Sequence, residues 1–191
     1  RYRELCPIHP MTISLLSKVA ENFGASQRTL FRFMKDPEGR EQKVGFLYYI
    51  DNFGPEDWRW LTPDFLWDYF FLRPSDIKEF SPEAQRCYQH YQQMQDFVNK
   101  NPAYLRIFKT CLLLISLMSQ RSTSNTIWLT RASNGKLVPT RNTVINCYAG
   151  VLEEAEVRNA LQAIGDSKLL RFDEQRNGDA RLELPFAGAT N

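Results

Sequence analysis

The chain has 191 residues, 43% of them hydrophobic and 13% aromatic, which suffices for a packed core in one large domain or two small ones. A formal net charge of only +2 excludes strong bulk attraction to nucleic acid, and no apolar run approaches the roughly 18 residues that span a bilayer. The four cysteines, Cys6, Cys87, Cys111 and Cys147, lie far apart in a chain that is not small; this argues against a disulfide framework and for the reducing cytoplasm.

The opening Arg1-Tyr2-Arg3-Glu4 lacks the apolar core of a signal peptide, and the abrupt start reads as a fragment of a longer protein. His9-Pro10 places a proline in a helix's first turn, where its missing N–H costs nothing. The helix expected over Met11 to Phe23 spaces Ile13, Leu16, Val19, Ala20 and Phe23 on one apolar face and ends at Gly24. Ser26 is placed to cap a second helix, Gln27 to Lys35, expected to bury Leu30, Phe31 and Met34. Residues 36–62 carry Asp36-Pro37, Gly39, Gly45, Gly54 and Pro55 and read as an irregular segment, packed through its many aromatics. Thr62-Pro63-Asp64 and Ser81-Pro82-Glu83 each combine a cap, a proline and an acidic first turn. They open helices expected to reach Leu72 and about Lys100. Asn101-Pro102 interrupts the chain, and Ala103 to Ser119 reads as the central core helix, with Cys111 as a small hydrophobe inside it.

After Ser119 the composition turns polar, with a turn signal at Asn134-Gly135. A short helix is expected over Thr143 to Tyr148 and a longer one over Glu153 to Ile164, where Glu153, Glu154 and Glu156 suit the positive end of the helix dipole. Lys168 to Asp173 and Ala180 to Pro185 flank Asn177-Gly178 and read as a β-hairpin. Helix, helix, hairpin is the order of a winged helix. The expected architecture is therefore mainly α: a helical bundle over 1–120, then a winged-helix-like domain over 121–191 ending in the hairpin.

No sequence signal for catalysis is present. A phosphate-binding loop of the Gly-x-x-x-x-Gly-Lys-Ser/Thr type, a Gly-x-Gly-x-x-Gly fingerprint and a Gly-x-Ser-x-Gly elbow are all missing. Cys6-Pro7-Ile8-His9 and Cys87-Tyr88-Gln89-His90 share a Cys-x-x-His spacing that four-coordinate zinc accepts; structural zinc knuckles sit in tight turns, whereas these positions read as a helix start and a helix body, so no metal is assigned. From Phe97 to Leu152 there are seven basic residues, including Lys100, Arg106, Lys109, Lys136 and Arg141, and no Asp or Glu. Such a stretch either contacts phosphates, forms a solvated face or matches acidic neighbours in the same molecule. From Arg141 onward six Lys/Arg face eight Asp/Glu, and the position of a recognition helix is acidic at its start, so simple DNA reading is disfavoured. Lys136, Arg141, Arg171, Arg176 and Arg181 are the nucleic-acid candidates. Trp58, Trp60 and Phe71 are candidates for an exposed adaptor patch or for core.

Cys6-Pro7-Ile8-His9-Pro10 followed by Phe23-Gly24-Ala25-Ser26-Gln27-Arg28-Thr29-Leu30-Phe31 resembles the helical lid that follows the nucleotide-binding core in large bacterial P-loop ATPases of the AAA/STAND kind, some of which occur in phage-defence systems. Phe65-Leu66-Trp67-Asp68-Tyr69, Phe108-Lys109-Thr110 and Glu154 to Phe172 extend the similarity, with lower specificity. Cys6 stands where that family has an aromatic, and the nucleotide-binding core itself is missing from this sequence. The resemblance implies a non-enzymatic piece of an ATPase. Arg28 would reach the γ-phosphate of ATP, Arg32 would be the fallback, and His9 would orient the helix start. ATP and magnesium would belong to the parent protein. The implied partners are that missing core and another protein or DNA, in the cytoplasm and away from membranes. Alternative readings are a nucleic-acid-binding winged helix and a protein-interaction adaptor.

Overall fold

The computed structural model describes residues 7–22, 26–53, 59–117 and 138–185, except for the side chains of residues 20–29. Over the described residues the chain is mainly helical, with one two-stranded antiparallel hairpin at the C-terminal end. Helices α1 (Pro10–Asn22), α5 (Pro63–Phe70), α6 (Pro74–Ile77), α7 (Pro82–Val98) and α8 (Pro102–Ser116) all open on proline, whose fixed φ and absent N–H suit a first helical residue. Ser81 Oγ accepts the Ala84 N–H at the start of α7, and Asn101 Oδ1 accepts those of Ala103 and Tyr104 at the start of α8. Thr62 departs from the expected capping role. Its backbone is extended, but its hydroxyl donates to Asp64 instead of accepting a helix N–H.

Two apolar faces differ from the sequence expectation. In α1 Leu16 and Val19 are buried as expected, but Thr12 and Leu15 join them and Ile13 is 48% exposed. The 12/15/16/19 spacing satisfies helical periodicity as well as the expected one, and the helices packed on α1 select it even though it buries a hydroxyl. In α2 (Ser26–Lys35) Phe33 is the buried anchor at 1% exposure, Met34 is half-buried, and Leu30 and Phe31 face solvent. Phe33 sits among the rings of Phe46, Tyr69 and Phe70, and this aromatic cluster sets the helix's rotation.

The stretch expected to be irregular contains α3 (Glu38–Glu41) and α4 (Gly45–Asn52). The bend between them uses positive φ at Lys43 and Gly45 (58° and 84°), and a Cβ at Gly45 would meet the Tyr69 ring at 3.2 Å. Its packed character agrees with expectation, since Tyr49 is buried, with the Phe53 ring tilted against it and the Phe65 ring edge-on. Of the three adaptor-patch candidates, Phe71 is buried, Trp60 is half-buried and Trp58 lies outside the described residues.

The C-terminal part comprises α9 (Arg141–Cys147), α10 (Glu154–Asp166), β1 (Arg171–Glu174) and β2 (Ala180–Glu183). Arg171 pairs with Glu183 and Phe172 with Leu182, and Gly178, at φ +80°, closes the turn. Pro139 and Thr140 run beside β2, with the Leu182 N–H donating to the Pro139 carbonyl at 2.7 Å. After α10, Lys168 adopts φ +56°; its N–H donates to the Gly165 carbonyl and that of Leu169 to the Ile164 carbonyl, a Schellman closure built on lysine rather than glycine. The boundary expected near residue 121 lies outside the described residues. One hydrophobic cluster nonetheless runs from Ile8 to Leu182, and α8, buried from Thr110 to Ser116, packs against α5, α7, α9, α10 and β2 alike. Among the described residues no helix is long and apolar enough to cross a membrane.

Candidate functional site

The lid-like pair α1–α2 carries the two arginines singled out for phosphate contact. Arg28 is the third residue of α2, and its side chain is outside the described residues. Arg32, one turn on, is exposed and borders a small hollow of about 100 Å³ shared with Arg73, Tyr69 and Phe80. Beneath it, Asp36 accepts the Tyr69 hydroxyl at 2.7 Å and one Arg73 N–H at 3.5 Å. Burial alone would raise the Asp36 pKa, but the Tyr69 bond, the Glu38 N–H and the Arg73 and Arg32 charges together hold it below the ordinary carboxylate value.

Three of the four described cations of the acid-free stretch pair with carboxylates from other parts of the chain. Arg106 meets Asp64 at 3.2 Å, Lys109 meets Asp68 at 2.6 Å and Arg141 meets Glu174 at 2.6 Å. The matched-neighbour reading therefore describes these three, while Lys100 is exposed. Of the nucleic-acid candidates, Lys136 lies outside the described residues. Arg141 and Arg171 come together at one cleft, and Arg176 and Arg181 are exposed on the hairpin, away from its lining. Arg171 is also bonded to Glu183 across the hairpin.

Three buried polar ties, none of them signalled by local spacing, join the N-terminal helices to the C-terminal part. In the first, the Met11 N–H donates to His9 Nδ1 at 3.2 Å, which leaves the ring proton on Nε2 to reach the Ala149 carbonyl at 3.0 Å. Burial lowers the His9 pKa, and the Ala149 bond offsets part of that shift. In the second, His90 Nε2–H donates to the Leu169 carbonyl at 2.6 Å. The third is a network. Arg106 Nε donates to Asp64 Oδ2, Arg106 Nη2 reaches Thr62 Oγ1 at 3.0 Å, and Thr62 donates to Asp64 Oδ1. Tyr148, fully buried, brings its hydroxyl within 2.7 Å of Thr110 Oγ1, 2.9 Å of the Arg106 carbonyl and 3.2 Å of Asp64 Oδ1.

The Cys-x-x-His pattern takes a different meaning in this setting. Both imidazoles are engaged by carbonyls, Cys87 is buried with its thiol pKa pushed up by desolvation, and Cys6 lies outside the described residues. Among the described residues no three His, Cys, Asp or Glu side chains are grouped to hold a metal ion. Asp64 was legible only as a first-turn acid, and Arg106 only as one of a basic run; their partners sit too far along the chain for spacing to pair them. Compared with known protein families, with curated proteins and with solved structures, the chain matches none of them.

Proposed function

We propose that the chain is a non-catalytic regulatory module: the lid and winged-helix part of a larger ATP-binding P-loop ATPase, which carries nucleotide state to a partner. The observation that supports this reading is mechanical. The helices and the hairpin end share one hydrophobic cluster, and His9 just before α1, His90 in α7 and the Asp64–Arg106–Tyr148 network tie the helices to the segments on either side of α10. Close-packed interiors transmit displacement instead of absorbing it, so a push on α2 would move the hairpin as a rigid body.

Arg28, on α2, is the residue that would meet the γ-phosphate, with exposed Arg32 a turn behind. A guanidinium offers phosphate oxygens two parallel donors, and its withdrawal after hydrolysis would release the lid. ATP and magnesium would be held by the core, and this module would supply only the phosphate contact and the lever. The element order α9, α10, β1, β2, with residues 139–140 beside β2, supports the winged-helix reading. The excess of carboxylates from Arg141 onward favours a protein over a nucleic acid as the partner. In the full-length natural protein, Arg28→Ala should lower ATP turnover at least about tenfold, roughly 1.4 kcal/mol of transition-state stabilisation, with the melting temperature unchanged. Unchanged turnover in both Arg28→Ala and Arg32→Ala, or a full reading frame without a phosphate-binding loop, refutes the assignment.

A further inference from the structure

Six large hydrophobic side chains stay exposed among the described residues, and four of them, Ile13, Leu30, Phe31 and Ile50, lie on α1, α2 and α4. These helices adjoin, since α2 packs against both α1 and α4. Phe31 is the most exposed of the six, at 61%. Helix geometry accounts for this: Phe33, two residues on and about 200° around the axis, is the buried anchor of α2, so Phe31 stands on the outward side. Leu30 is also exposed next to it in the chain. The Phe31 ring therefore adds little to the packing of the module itself.

The charge on α2 is of one sign. Ser26–Lys35 contains Arg28, Arg32 and Lys35 and no acid. Arg32 and Lys35 are exposed, and neither forms an ion pair among the described residues. The acids that follow α2 in the chain, Asp36 and Glu38, both meet Arg73, and Arg32 acts on Asp36 only through space. Lys35 Nζ sits 4.8 Å from the centroid of the Phe31 ring, so cation and ring form one surface. Residues three apart on a helix are neighbours on its surface, which puts position 28 beside position 31.

We infer that Phe31, with Leu30 beside it, is the anchor by which α2 closes on the nucleotide-binding core of the parent protein, its ring seated on apolar surface next to the bound phosphates. This rests on the reading that Arg28 meets the γ-phosphate, because a body within reach of position 28 also covers position 31. An anion alone would leave the ring in water, and an apolar surface alone would leave Arg32 and Lys35 without counter-charge. A nucleotide seated in a protein core offers both. Phe31 touches neither nucleotide nor reacting atoms, so it is a positioning residue. Its contact is the same before and during phosphoryl transfer, and its loss therefore weakens nucleotide binding and leaves the chemical step intact.

The test is made in the full-length parent, with a fluorescent non-hydrolysable ATP analogue as the binding probe. Phe31→Ala should weaken equilibrium binding of the analogue, and raise KM for ATP, at least about tenfold, with kcat at saturating ATP and the melting temperature unchanged. Phe31→Leu should recover most of that loss, and Phe97→Ala, which removes a ring 56% exposed on α7, should leave binding as it was. Arg28→Ala should lower kcat instead. Analogue affinity and KM untouched by Phe31→Ala, alongside a slow Arg28→Ala, would overturn this inference alone. Both variants behaving as the natural protein would overturn the reading beneath it as well. An equal loss in Phe97→Ala would also overturn the inference. If Phe31→Ala fails to fold, p-benzoylphenylalanine at position 31 replaces it and, on illumination with the analogue bound, must cross-link to the core of the same polypeptide; absence of that adduct overturns the inference.

Discussion

Replacing Tyr148 by Phe removes one oxygen from the interior and nothing else. The ring stays, so no cavity opens and the usual core penalty is avoided. The hydroxyl it deletes is the meeting point of Thr110, the Arg106 carbonyl and the buried Asp64 carboxylate. A hydrogen bond to a charged group contributes about 1.5–3 kcal/mol. Asp64 would keep Thr62 and Arg106, and Thr110 lies one helical turn beyond the Arg106 carbonyl and can turn to it, so the rearrangement recovers part of the loss. The expected destabilisation is about 2 kcal/mol, which in a domain of this size lowers Tm by about 4–8 °C. Urea unfolding at neutral pH measures it directly, as a lower midpoint at unchanged m-value. Thr110→Val combined with Tyr148→Phe should fall short of the sum of the single losses, because both act on one bond. A loss below about 0.5 kcal/mol for Tyr148→Phe, or strict additivity with Thr110→Val, would show that the network does not tie α9 to the helices beneath it.

The remaining expectations concern acid and the rotation of α2. His9 has a lowered pKa in the fold, so the unfolded chain takes up the proton first as pH falls. Its stabilising contribution is complete above the unfolded value of about 6.5 and is lost as pH drops from there towards the folded value; unfolding free energies from pH 8 to 5 should fall in that window, and His9→Gln should lack that component of the slope. Phe33→Ala should cost about 3–5 kcal/mol and Phe31→Ala less than about 0.5 kcal/mol, since the first ring is enclosed and the second is 61% exposed. Equal effects in thermal melts would restore the original facing of α2.

Legibility in the sequence followed the range of the signal. Helix starts were readable because Pro10, Pro63 and Pro82 act within one turn, whereas Pro102, read as a break, is itself the first residue of α8; the hairpin was readable because Asn177-Gly178 fixes its own closure. The core helix was readable because an unbroken apolar run has only one place to go. Rotations about helix axes were less legible: in α1 and α2 two residue sets satisfied the same period, and rings from α4 and α5 chose between them in α2. The ties between the two ends were invisible for a related reason. His9, Asp64, Arg106 and Tyr148 each have an ordinary local explanation, and only the fold brings them within bonding distance. The cleft between α10 and the hairpin lay between these cases: Arg141 and Arg171 were legible as cations, but only the fold brings them to one wall.

Because α8 serves as wall to both the preceding helices and the C-terminal elements, a cut between residues 117 and 138 would bare apolar surface on both sides. A polypeptide stopping at Leu117 would present the flank of α8 that α10 and β2 now cover, and one starting at Val138 would present Val157, Leu161 and Ile164 bare. Each piece would be prone to clump on expression. Moving the C-terminal elements into another protein would call for carrying α8 along with them, since α8 supplies the wall on which they pack.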